Sequence, residues 1–242
     1  VWVLRFLRGS KTQLPLTLPD MKIEPQVILP CLGLGVSTFV MLSTESILNI
    51  SFNSSLSRYG GDVAVGAMTI ISSCSQLITL PLQGICQGGQ PIMSYNFGAG
   101  KKERVKQAFG CQFAACVIYA GVLWMLLMIA PQVFANIFSS DETLVSYTVW
   151  AMRIYMAGIF STGVQIGCQQ TFMALGQAKI SLRMACLRKL VLLIPLIFIL
   201  PAFFTDKVFG VFVAEPVSDI IAATVTATML FTRLNKILDW KQ

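Results

Sequence analysis

Residues 63–100 read VAVGAMTIISSCSQLITLPLQGICQGGQPIMSYNFGAG and contain no Asp, Glu, Lys or Arg. A bilayer crossing needs about 20 mostly apolar residues. Backbone groups in hydrocarbon must be satisfied within their own segment, so a run of this length is expected to be a helix. Pro81 and Gly84 interrupt it, and Gly88, Gly89 and Pro91 follow. The spacing predicts a tilted or bent helix whose polar end leaves the membrane near Tyr95-Asn96.

Working outward, residues 25–44, 107–140, 154–178, 190–205 and 220–232 are also free of charge. Extended to their turn signals, the runs predict six helices at 28–53, 63–95, 104–134, 144–174, 180–203 and 208–233. Pro195 and Pro201 predict a kinked fifth helix, and Pro216 a kinked sixth. The alternating ten-residue segments of a membrane barrel are not seen. The expected fold class is an all-α integral membrane bundle of six transmembrane helices. Composition agrees: 55% of the 242 residues are hydrophobic and 12% charged, against about 25% charged in a soluble domain. Mean hydropathy is +0.71.

Charge sets the expected orientation. With the N-terminus inside, all of the 18 basic residues except Arg58, Arg153 and Lys207 fall on inner segments, Arg188 and Lys189 among them. Asp62, Asp141, Glu142 and Asp206 fall outside. This is the positive-inside pattern, so the net charge of +7 reflects topology and anionic lipid rather than nucleic acid. The expected organisation is a cytoplasmic connection at 1–26, a six-helix lobe at 27–235 and a cytoplasmic tail at 236–242, both ends inside. The start at Val1, without initiator methionine or signal peptide, is expected to follow an earlier span.

Histidine is absent, which excludes imidazole relays and His-based metal sites. The seven cysteines lie in or beside apolar runs without a CxxC pair and are expected to be packing residues. No nucleophile–base pair or phosphate loop is visible, so no enzyme activity and no cofactor is expected. Charges within the membrane are costly and mark function by default. Glu45 shares a helix face with Asn49, one turn on, and suits Na+ coordination or proton carriage. Glu215 and Asp219 are four residues apart on one face. Arg153 is the candidate to pair with one of them, leaving the other to titrate or bind a cation. Gln76, Gln83, Gln87 and Gln90 form one stripe, and Gln165, Gln169 and Gln170 lie on the fourth helix. Gln76, Gln83, Gln87 and Gln169 are candidates to line a cavity.

The segment Gln90-Pro91-Ile92-Met93-Ser94-Tyr95-Asn96-Phe97-Gly98-Ala99-Gly100-Lys101-Lys102 resembles the QP…YN-GA-K segment of the multidrug and toxic compound extrusion (MATE) transporters. Tyr59 to Met68 resembles the family's outer loop into a span, and Phe172 to Lys179 its F-A-LG-K loop. Arg188, Pro195 and Pro201 resemble its R…IP…LP helix, and Gly210 to Asp219 the start of its last helix. The likeness covers residues 20–235.

The resemblance implies one lobe of a twelve-helix, two-lobe transporter, here helices seven to twelve, with the N-terminal lobe missing. It implies alternating access in the cell (inner or plasma) membrane, exporting cationic or amphipathic small molecules in exchange for H+ or Na+. It also implies that Glu45 matches a cation-site glutamate of the seventh helix. Members with that glutamate carry an acid in the tenth helix, where this chain has only Arg153. Gln90, Pro91, Asn96 and Gly98 read as a structural hinge. Two alternatives stay open: a flippase for lipids or polyprenyl precursors, and a non-transporting half that needs a partner chain.

The orientation has a direct test. In a background lacking the seven native cysteines, Ser140→Cys should label with an impermeant maleimide from outside. Ala99→Cys should label only after permeabilisation, and the reverse result would invert the topology.

Overall fold

In a computed structural model of the chain, residues 25–239 are described and all their regular structure is helical. Most of the expected connection at 1–26, and residues 240–242 of the expected tail, lie outside the described residues. The chain divides into two compact units, Val1–Ser46 and Ile47–Gln242. In the first, residues 25–46 are helical. The second holds the rest.

Helix α1 (Pro25–Gly98) has one residue with non-helical backbone, Gly61, at φ 66° and ψ −160°. Phe52 stacks on Tyr155 at 5.9 Å, and Ser75 lines a cavity with the same Tyr155. An unbroken helix would hold positions 52 and 75 roughly 35 Å apart. The chain therefore folds back at Gly61, and α1 consists of two arms, 25–60 and 62–98. The sequence suggested a loop at 54–62; one glycine makes the turn instead. Its dihedrals belong to a region that only glycine enters cheaply. Pro81 and Gly84 do not break the second arm.

The remaining elements are α2 (Lys102–Ile129), α3 (Pro131–Phe138), α4 (Glu142–Tyr155), a 3-10 turn (Met156–Gly158), α5 (Ile159–Ala174) and α6 (Ala178–Cys186). A π-helical run (Leu187–Leu193), α7 (Ile194–Ile199), a 3-10 turn (Leu200–Ala202) and α8 (Lys207–Asp239) complete them. Among the described residues, Ser43–Gly98, Lys102–Ile129, Ala178–Ala202 and Lys207–Asp239 are long and apolar enough to cross a membrane. The expected fourth span is divided into α4 and α5, of 14 and 16 residues. The expected third span breaks at Pro131, which opens α3 because its missing N–H costs nothing there. Helix α8 runs past the expected end at 233, held by buried Leu234 and Leu238 and by the ion pair of Lys102 with Asp239 at 2.7 Å.

Local chemistry fixes the ends. Asp141 caps α4 by accepting from Thr143 N at 2.9 Å. The bonds from the Thr143 side chain and backbone hold the Asp141 carboxyl below the ordinary carboxylate range. Its contribution to stability is therefore fully present above the ordinary range and is lost as pH falls through the lowered folded value. Asp206 accepts from Val208 N and Phe209 N at the start of α8. At the opposite end, Lys101 N donates to Asn96 O and Gly100 N to Phe97 O. With Gly100 at φ 69°, this is a Schellman cap on α1. Gln177 N to Phe172 O and Gly176 N to Met173 O repeat it on α5. Ser94 Oγ donates to Ala174 O at 2.9 Å and ties the two caps together.

Helix association in lipid depends on packing more than on water exclusion. Two buried apolar clusters do this. One includes Leu56, Ile71, Leu82, Ile197 and Phe212. The other includes Met93, Phe109, Phe172, Leu230 and Leu238. At the end where α4 and α8 begin, the Trp150 ring meets those of Tyr147, Phe209 and Phe212. Lys207 there sits 5.4 Å over the Tyr59 ring.

Gly61→Ala should cost about 1–3 kcal/mol of stability through backbone strain alone, because a methyl there meets no atom within 4 Å. Gly88→Ala, equally open but inside the helix, should not lower the thermal midpoint in detergent. An equal fall in both would rule out the strain account.

Candidate functional site

Between the two apolar clusters α8 turns polar. Glu215 (9% exposed) and Asp219 (3%) are buried, four residues apart on one face as the spacing requires. Asp219 lies twelve residues into α8, roughly 18 Å along it, well within hydrocarbon depth.

The cation that meets them is Arg188, in the π-helical run after α6. Its Nε donates to Asp219 Oδ1 at 2.6 Å and its Nη2 to Glu215 Oε1 at 2.9 Å. Thr162 Oγ1 on α5 donates to the other oxygen, Asp219 Oδ2, at 2.8 Å. Ser218 Oγ donates to the Arg188 carbonyl at 3.1 Å, so α8 grips both the head and the backbone of this residue. The approach of α5 depends on Gly158. A β-carbon there would lie 2.7 Å from Pro216 Cα and 3.3 Å from Asp219 Cβ.

A cavity of about 60 Å³ adjoins the cluster, lined also by Ser75, Ile78, Thr79, Tyr155 and Ile159. Ser75 Oγ donates to Ile71 O, and Thr79 Oγ1 to Ser75 O. The protons of these hydroxyls and of Thr162 are thus committed, and their oxygens keep lone pairs to offer. Among the described residues, two carboxylates face one guanidinium. Such a lining favours a small cation or a proton. The volume admits an ion or a few waters, not a drug, which needs a pocket of about 300–1,000 Å³.

Arg153 does not fill the role expected of it. It is exposed on α4, because the buried face of that helix runs through Thr148, Ala151 and Met152, and residue 153 points away. Arg188 takes the acids instead and leaves the set of inner-loop cations. Its neighbour Lys189 and the charge-free run from 190 onward made it read as a loop residue. The signal that distinguishes it is the apolar surroundings of residues 184–187.

The other candidates are more dispersed. Glu45 is exposed in the first unit, and Asn49 is exposed in the second. Gln76, Gln83 and Gln87 are exposed on the second arm of α1, and Gln169 is half-buried on α5. Of the hinge residues, Asn96 is buried and its Nδ2 donates to Ile92 O at 2.9 Å; Gln90 is half-buried, while Pro91 and Gly98 are exposed. Cys86 and Cys116 are buried with their sulfurs 3.5 Å apart. Among the described residues, no group of three His, Cys, Asp or Glu side chains is placed to hold a metal ion.

Comparison with known proteins gives a consistent result. The MatE family matches residues 37–199. The multidrug export protein MepA of Staphylococcus saprophyticus is 23% identical over 235 residues, covering 96% of this chain and 51% of that protein. MepA of Staphylococcus aureus strain N315 is 24% identical over 242 residues, with the same coverage. Among solved structures, an inward-facing multidrug resistance MATE family transporter of the MOP superfamily superposes with a TM-score of 0.86 at 18% identity. It covers all of this chain and 56% of that one. A MATE structure in the bent conformation gives 0.83 at 18%, with 98% and 52% covered. At that identity the likeness shows the fold. The chain spans about half the length of the curated relatives it matches.

Arg188→Gln should destabilise the fold by about 3–5 kcal/mol, since it strands buried carboxylates. Adding Asp219→Asn should recover part of the loss. A double-mutant cycle on thermal midpoints in detergent reads the coupling, and strict additivity would mean that the pair contributes nothing.

Proposed function

The chain belongs to the MatE family, and we propose on that footing that it acts as the second lobe of a cation-coupled multidrug antiporter. In this reading it exports cationic or amphipathic small molecules by alternating access, in exchange for H+ or Na+. The observation that carries the proposal is the buried cluster of Glu215, Asp219 and Arg188 beside a cavity lined by hydroxyl oxygens. Arg188 balances one negative charge and fixes the geometry. The second carboxylate gives the site its appetite for a proton or a monovalent cation. Glu45 is the second coupling candidate.

The drug is assigned elsewhere, because the acid cavity is too small for it. Gln76, Gln83 and Gln87 are exposed within a membrane-crossing stretch. Amides facing lipid tails would lose their hydrogen bonds. A water-filled cavity shared with a first lobe satisfies them, and it places drug and ion in one lobe's reach. The MepA relatives are named as multidrug export proteins, and that function fits such a cavity. The charge asymmetry supports an orientation with both ends of the chain in the cytoplasm.

The test is gradient-driven efflux from proteoliposomes, with this chain joined to a first lobe. Asp219→Asn or Glu45→Gln should reduce efflux about 5- to 100-fold, the span of typical coupling free energies, while drug binding persists. Full gradient-driven transport in both variants would defeat the coupling assignment.

A further inference from the structure

A second polar concavity lies far along α8 from the acid cluster. It is a groove of about 520 Å³ between α6 and α8, lined by Gln177, Ile180, Arg233, Lys236 and Ile237. Three observations distinguish it from an ordinary basic surface. Among the described residues, no acidic side chain lines it. Among the described residues, acids at this end of the bundle are engaged by other partners: Asp239 with Lys102 at 2.7 Å, and Glu103 with Lys106 at 3.4 Å. Its walls are mixed, with Ile180 and Ile237 beside the two cations and the amide.

Position narrows the ligand further. Arg233 ends the charge-free run 220–232 of α8, and Lys179, just before Ile180, ends the run 154–178. The groove therefore lies where the apolar stretches of two neighbouring helices stop, at headgroup level. We propose that it holds the phosphate headgroup of an anionic phospholipid. Arg233 and Lys236 pair with the phosphate and Gln177 donates to a headgroup oxygen. Ile180 and Ile237 meet the glycerol and the first methylenes. A guanidinium and an ammonium on one face are suited to a phosphodiester, and basic pockets between membrane helices at this depth attract anionic lipid.

Native mass spectrometry of the purified protein in mixed micelles tests the idea, with phosphatidylglycerol and phosphatidylcholine as the two probes. The wild-type chain should retain phosphatidylglycerol in preference. Arg233→Gln with Lys236→Gln should weaken retention about 30-fold, as expected for two interfacial cations. Ile180→Trp, which fills the groove without changing charge, should weaken it as well and covers the case in which the double variant fails to fold. Lys101→Gln with Arg104→Gln removes two charges from the same end and should leave retention unchanged. The proposal falls if that control loses as much lipid as the groove variants, or if the groove variants lose none. It also falls if millimolar inorganic phosphate displaces the lipid completely, which would make the groove a site for free phosphate.

Discussion

The grip of Arg188 on Glu215 and Asp219 sets the terms for the rest of the molecule. Ionised groups cannot be left alone in hydrocarbon, where the cost of removing each from water is several kcal/mol. The surrounding backbone is shaped so that they meet. The π-helical run Leu187–Leu193 carries the guanidinium to α8, an irregularity of the kind found at functional sites. The 3-10 turn at Met156–Gly158 brings α5 close enough for Thr162 to donate to Asp219. Gly158 leaves no side chain between α5 and Pro216. Each departure from a regular helix in this region has the same beneficiary.

The ion cluster also separates two kinds of cohesion. On either side of it the helices are held by close-packed apolar clusters, whose contacts are individually small and collectively large. At the cluster they are held by directional bonds with fixed partners. A proton or cation arriving there changes the charge seen by Arg188, and with it the attraction between α8 and the π-helical run. Apolar packing has no comparable lever. A coupling ion at this level, as proposed, would act on a contact that can answer to charge.

Much of the fold was legible in the sequence, because each span repeats one compositional signal: a long run without charge, closed by basic residues on one side. The Gly100 turn was legible for the same reason, since Asn96, Gly98, Gly100 and Lys101 stand together in the order a helix stop requires. What escaped was geometry that composition does not encode. Gly61 makes a whole turn by itself, whereas the turn signals spread over Ser54, Ser55, Ser57, Arg58, Gly60 and Asp62 read as a longer loop. Arg188 was hidden by Lys189, which lent it the look of a loop cation. Arg153 stood out because it was flanked by apolar residues, yet helical phase, not depth, decides which way a side chain faces. The acids were the readable half of the site, as a spacing of four fixes their common face wherever their partner comes from.

Helix α8 joins the two polar sites. Asp219 and Arg233 are fourteen residues apart, close to a whole number of helical turns, so both look toward the same side of α8. At the level of Asp219, α8 meets a cation supplied by the π-helical run that continues α6. At the level of Arg233 it carries cations itself, opposite an α6 that holds Lys179 and Arg183. Like charges there push the two helices apart unless an anion lies between them. The seam of α6 and α8 is thus closed from within at one level and closed from outside at the other. A lipid phosphate in the groove would stiffen the end of the lever whose other arm is the acid cluster. Membrane composition would then set how freely α8 responds when the charge on that cluster changes.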